Sequence, residues 1–158
     1  MEGINYVTGD ATQPVGDGNR IIAHVCNDVG AWGKGFVVAL SRRWPKPEKE
    51  FKQWYKSKVN FALGETQLVQ VEENIWVANM IGQRDIKTGS SGIPPIRYEA
   101  IATALSKVAV FAAEKNATVH MPRIGCGLAG GTWDKMEPII KAELTSKSIL
   151  VTVYDFKS

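Results

Sequence analysis

The stretch MPRIGCGLAGG, residues 121–131, sets four glycines (Gly125, Gly127, Gly130 and Gly131) between two unlike segments. Before it runs ATVHMPR, a short apolar run of the kind that forms a buried strand. After it runs TWDKMEPIIKAEL, in which Met136, Ile139, Ile140 and Leu144 recur at helical spacing. Strand, glycine turn and helix together form the repeating unit of an α/β protein. So much backbone freedom at a strand end has two readings. Either the turn is merely tight, or something must approach the backbone where a Cβ would obstruct it.

Working outward, the same grammar recurs. RIIAHVC, residues 20–26, is a near-continuous apolar run, as expected of a strand covered on both faces. NDVGAWGKG, residues 27–35, is a second glycine-rich turn, and FVVALSRRW after it predicts a helix. Trp44-Pro45 ends that helix, because proline disfavours helical geometry in the residue before it. PKPEKEFKQWYKSK predicts another helix, with Phe51, Trp54 and Tyr55 on one side. INYVTGD at the start and SILVTVYDF at the end read as strands, and ETQLVQVEENIWVANMIGQ as two strands joined around Glu72-Glu73-Asn74. RYEAIATALSKVAVFAAEKN is the clearest helix, and RDIKTGSSGIPPI before it reads as a mobile loop. Alternating strands and helices predict an α/β fold, a three-layer α/β/α sandwich with a mixed central sheet, as one domain over residues 1–158. In such sheets ligands sit beyond the carboxyl ends of the strands, so both glycine turns should share one rim.

The bulk numbers fit this. The chain has 158 residues, 44% of them hydrophobic and 22% charged, enough for a real core. The net charge of +3 favours anionic partners only mildly. The start, Met1-Glu2-Gly3-Ile4-Asn5, lacks the basic and apolar pattern of a signal peptide, and no apolar run is long enough to span a bilayer. A cytoplasmic, monomeric protein without membrane contact is expected. Cys26, Cys126, His24 and His120 make a poor zinc set, so no metal is expected, and both cysteines read as reduced thiols.

Two glycine loops on one rim can clamp a diphosphate, since backbone N–H groups form a nest and a following helix adds its positive end. Neither loop is a GxxxxGK[ST] or a GxGxxG motif, which argues against the common nucleotide sites. Packing alone remains the other reading of these turns.

The order and spacing of VTGDAT, RIIAHVCNDVGAWGKGFVVAL, VANMIGQ and MPRIGCGLAGGTW resemble those of macro domains, the α/β/α modules that bind ADP-ribose. The resemblance runs from about Ile4 to Tyr154. It is nearest to the branch of the terminal ADP-ribose protein glycohydrolase and the yeast-type ADP-ribose 1''-phosphate phosphatase. AHVCN with GAWGKG is similar to the phosphatase-type members, and MPRIGCGL to the glycohydrolase-type members. The resemblance implies that Asp10, beside Ala11, contacts the adenine amine, the other reading of Asp10 being a turn cap. It implies that Asn27, Gly30, Trp32, Gly33, Gly35 and Phe36 wrap the distal ribose and diphosphate. Gly125, Cys126, Gly127, Leu128, Ala129 and Gly130 then form the second phosphate loop. Tyr154 or Phe156 would supply the adenine-facing aromatic, or else a core or surface residue.

For catalysis the resemblance is incomplete. Glycohydrolase-type members carry a lysine and an aspartate where this chain has Gln83 and Ala129, which can neither form a sugar adduct nor exchange a proton. His24, Asn27 and Lys34 remain as catalytic candidates, with Cys126 a weak nucleophile. His24 shares a sheet face with Cys26 and is either a water-activating base or a hydrogen-bonded core residue. The expected function is binding of ADP-ribose, or of an ADP-ribosylated substrate, with hydrolysis at the distal ribose and no cofactor. A non-catalytic ADP-ribose reader is the alternative. A nucleic-acid module is a third, on the strength of Arg42, Arg43, Lys46, Lys49, Lys52, Lys56 and Lys58 interleaved with Trp44, Trp54 and Tyr55.

Overall fold

The computed structural model describes residues 3–86, 92–127 and 129–156. Leu128 and the middle of the RDIKTGSSGIPPI loop, residues 87–91, lie outside them. In chain order the elements are β1 (Asn5–Thr8), β2 (Arg20–Asn27), α1 (Phe36–Arg43), α2 (Lys46–Ser57), β3 (Thr66–Glu72), β4 (Ile75–Gln83), α3 (Tyr98–Lys115), β5 (Thr118–Met121), α4 (Trp133–Glu143) and β6 (Val151–Asp155).

β2 and β4 are largely apolar because they are covered on both faces, with His24, Asn27 and Asn79 as their buried polar residues. They pair in parallel, Ile21 beside Trp76 and His24 beside Asn79. The sheet has six strands in the order β1-β6-β5-β2-β4-β3, and only the β3–β4 pairing is antiparallel, so it is mixed as expected. α3 buries Ile101, Leu105, Val108 and Ala112 on one stripe and stops at Asn116, whose left-handed conformation returns its N–H to the carbonyls of Ala112 and Ala113.

The sheet separates two unequal cores. On one face, Ile21 and Ala23 of β2 join Ile101 and Leu105 of α3 and Met136 and Ile140 of α4 in the large core. On the other, Ile22 packs with Leu40 of α1, and Cys26 with Phe51 of α2. The loop after β2 therefore leaves to the α1/α2 layer, and the loop after β5 to the α3/α4 layer. β2 and β5 are neighbours in the sheet. Their loops diverge at the carboxyl end and open a crevice there, as expected where connections from adjacent strands part to opposite faces.

The last strand is shorter than SILVTVYDF suggested. A 3-10 turn, Thr145–Lys147, precedes it, and Ser148 sits in the left-handed region (φ 65°), so the ladder begins only at Val151. The strand in ATVHMPR likewise ends at Met121, where the glycine loop takes over.

Candidate ligand-binding cleft

Both glycine loops line one cleft of about 300 Å³. Its walls include His24, Cys26, Asn27, Trp32, Gly33, Lys34, Gly35 and Phe36 from the first side, and Pro122, Arg123, Gly125, Gly127 and Ala129 from the second. A second cavity of about 400 Å³ adjoins it, and Gly35, Phe36 and Pro122 line both. Asp10, Ala11, Arg42, Tyr154 and Phe156 line the second cavity. The two together form a bent trough whose middle passes the N-terminus of α1.

The first loop is built on Asn27. Its Oδ1 accepts the N–H groups of Val29 and Ala31, both at 3.0 Å, and its Nδ2 donates to the Ala31 carbonyl at 2.6 Å. Asn27 lines the cleft, and its amide makes three hydrogen bonds that fold the loop. Asp28 ties the loop sideways, its Oδ1 accepting the Asp85 N–H at 2.7 Å. Trp32 donates to Ser41 Oγ at 2.8 Å and packs edge-on against His24. Gly30 is turned away from the cleft: its φ is +76°, and a Cβ there would lie 2.4 Å from the ring of Tyr55. Its lack of a side chain serves packing against Tyr55, and Gly30 is not among the residues that line the cleft.

The second loop answers the question its glycines pose. A Cβ on Gly125 would meet Ile96 at 2.6 Å, one on Gly130 would meet Pro94 at 2.6 Å, and one on Gly131 would meet the Gly125 carbonyl oxygen at 2.5 Å. Those three glycines let the loop fold on itself, closed by Gly131 N–H donating to Gly125 O at 2.7 Å. A Cβ on Gly127 would meet nothing within 4 Å. At Gly127 alone of the four, the missing side chain leaves open space beside the cleft. Gly130 and Cys126 do not line the cleft, and the Cys126 thiol, pushed up by burial, donates to the Ile124 carbonyl. Leu128 lies outside the described residues.

In the second cavity, Asp10 is both a cap and a wall. Its Oδ1 accepts from Thr12 N at 2.8 Å and from Thr12 Oγ1 at 2.7 Å. The Tyr154 hydroxyl accepts the Val15 N–H at 2.9 Å and shares a hydrogen bond with His120 Nδ1 at 2.7 Å. This bond staples the loop after β1 to the sheet. Burial, with the charge of Arg20, pushes His120 down to about 4. Phe156 flanks the cavity while 74% exposed, so both candidate aromatics reach the same place.

His24 is buried on the cleft floor. Its Nε2 bonds Asn79 Oδ1 at 2.5 Å, and burial pushes it down to about 4 against the opposing pull of that bond. It is a neutral imidazole at neutral pH. Lys34 is an exposed cation on the cleft wall. Arg123 and Pro122 were not singled out by sequence reasoning, although both lie in the MPR of the decisive stretch. Arg123 reaches the Asp155 carboxylate with Nε at 2.6 Å and Nη2 at 3.1 Å, and sits against the rings of Tyr6 and Trp133. Among the described residues no cluster of histidine, cysteine and acidic side chains could hold a metal, and no helix is long and apolar enough to cross a membrane.

The basic-aromatic segment does not present a stacking face. Trp54 donates to the Val59 carbonyl and packs with Phe51 and Phe61, Lys58 covers the ring of Tyr55 at 3.6 Å, and Lys52 pairs with Glu48. The nucleic-acid alternative is not favoured.

No family model matches the chain. A solved structure of a macrodomain protein from Streptomyces coelicolor is 56% identical with a TM-score of 0.85, covering 96% of this chain and 98% of that one. A protein of unknown function from Bacteroides thetaiotaomicron is 58% identical with a TM-score of 0.96, over 98% of both chains. An ADP-ribose 1''-phosphate phosphatase of Candida albicans is 27% identical, over 87% of this chain and 92% of its own. A mouse chromodomain-helicase-DNA-binding protein 1-like is 32% identical, but this chain spans only 18% of its length. The chain belongs to the macrodomain family.

Proposed function

We propose that this macrodomain binds ADP-ribose along the trough and hydrolyses a bond at its distal ribose, releasing an ADP-ribosyl group from a substrate or phosphate from ADP-ribose 1''-phosphate. The observation that carries the reading is the convergence of the two glycine loops on one cleft that continues into the cavity holding Asp10. Adenine would lie beside Asp10 and Tyr154. The diphosphate would lie across Gly35, Phe36 and Gly127, where backbone and the α1 N-terminus favour an anion. The distal ribose would lie beside Asn27, Lys34 and Gln83.

The likeness to a relative named ADP-ribose 1''-phosphate phosphatase over most of both chains supports the hydrolytic half. With Gln83 and Ala129 in place of an acid–base pair, and His24 neutral, catalysis would rest on positioning the scissile bond against water, with Lys34 offsetting developing negative charge. Calorimetric titration with ADP-ribose, ADP and AMP tests binding. Release of inorganic phosphate from ADP-ribose 1''-phosphate, and of ADP-ribose from modified protein or nucleic acid, tests turnover. Tight binding without turnover of any of these would leave the reader alternative. No preference for ADP-ribose over AMP would reject the site.

A further inference from the structure

The tautomer of His24 is dictated by two backbone carbonyls of α2. The Glu50 carbonyl can only accept, so the bond from Gln67 at 3.0 Å must come from Nε2, leaving Gln67 Oε1 as an acceptor. The Pro47 carbonyl also can only accept, which fixes the Asn79 Nδ2 donor at 3.3 Å, and the same group donates to Gln67 Oε1 at 3.0 Å. Asn79 Oδ1 is then the acceptor for His24, so the hydrogen sits on His24 Nε2. Nδ1 carries a bare lone pair. It is buried, and among the described residues it has no hydrogen-bond partner.

Such an atom is costly unless a donor meets it. His24 lines the cleft, between the rings of Trp32 and Phe36. We propose that Asn79 is a positioning residue that locks His24 as a neutral acceptor, and that Nδ1 takes a hydrogen bond from a hydroxyl of the ligand's distal ribose in the cleft. This rests on the ADP-ribose reading given above. It assigns His24 to sugar recognition, not to proton transfer. Around the ring, β2 supplies Cys26, whose Sγ lies 3.8 Å from Nε2 and whose thiol burial pushes up. β4 and β3 supply the two amides, and α2 the two carbonyls. Lys34 before α1 and Arg123 after β5 are the charged side chains that line the cleft with it. Among the described residues no carboxylate contacts the ring, and the Asn79 bond is what opposes the effect of burial on the imidazole.

The test uses the whole chain with 15N-labelled histidine and ADP-ribose as probe. In the free protein, His24 should show the Nε2–H tautomer and not titrate between about pH 5.5 and 8. ADP-ribose should shift the Nδ1 resonance in the direction of hydrogen-bond acceptance, and ADP should not. Asn79→Asp should bring His24 titration into that window. His24→Gln retains a donor for Asn79 and loses the Nδ1 acceptor, and should weaken ADP-ribose about tenfold while leaving ADP unchanged. His24→Asn places an amide oxygen near the Nδ1 position and should recover part of that loss. The opposite tautomer, or a His24 that titrates near its ordinary value, overturns the assignment of Asn79. Equal weakening of ADP and ADP-ribose in His24→Gln means that the distal ribose does not meet Nδ1, and overturns the contact. If the unaltered protein binds no ADP-ribose, the functional reading fails together with the contact, while the tautomer is decided separately in the free protein.

Discussion

At the residue scale, the four glycines of the decisive stretch divide by what a side chain would meet. Gly125, Gly130 and Gly131 have no room for a Cβ, whereas Gly127 faces open space and lines the cleft. Gly127→Val should therefore fold with an unchanged melting temperature and lose ADP-ribose binding; a variant that binds normally would remove this loop from the diphosphate. Asp10 engages Thr12 through one carboxylate oxygen. A carboxylate that also accepts from the adenine amine predicts that Asp10→Ala weakens ADP-ribose by about 1–3 kcal/mol, measured by calorimetry. Unchanged affinity would leave Asp10 as a turn cap only.

At the element scale, β2 does two jobs. Its length lies between two layers, and its last residue folds the loop that follows. Asn27→Ala removes three short-range hydrogen bonds that define residues 27–31. It should lower stability by about 1–3 kcal/mol in urea denaturation and weaken ADP-ribose as well. Wild-type stability would mean the loop holds its shape without the amide. The strands and helices were legible because burial on both faces leaves continuous apolar runs, and because Trp44-Pro45 punctuates a helix end. The shortened β6 was not, since Ser148 gives no signal for a left-handed turn. The role of Asn27 was hidden because an Asx-type loop and a ligand contact ask for the same residue. Asn79 was hidden more deeply: an asparagine inside VANMI gains meaning only once β4 lies beside β2, 55 residues away from His24.

At the scale of the whole molecule, two buried histidines set the acid limit. Burial holds His24 and His120 at about 4, against an unfolded value near 6.5. Between those values the unfolded chain binds protons that the folded chain refuses, so stability rises with pH there. It is fully present above about pH 6.5 and lost as pH falls towards 4. Each histidine contributes up to about 1.4 kcal/mol per pH unit in that window. Urea midpoints at pH 7.5 and 5.5 should differ accordingly, and equal midpoints would mean both rings can charge without cost.

The two loops belong to different halves of the molecule. One is rooted in the small core under α1 and α2, the other in the large core under α3 and α4. A ligand gripping both becomes a further cross-tie between layers that the sheet joins from below. Its binding should damp the breathing of both layers against the sheet. Amide hydrogen exchange should then slow at the α1 N-terminus and in the β5–α4 loop together. Slowing confined to one side would mean that only one loop holds the ligand.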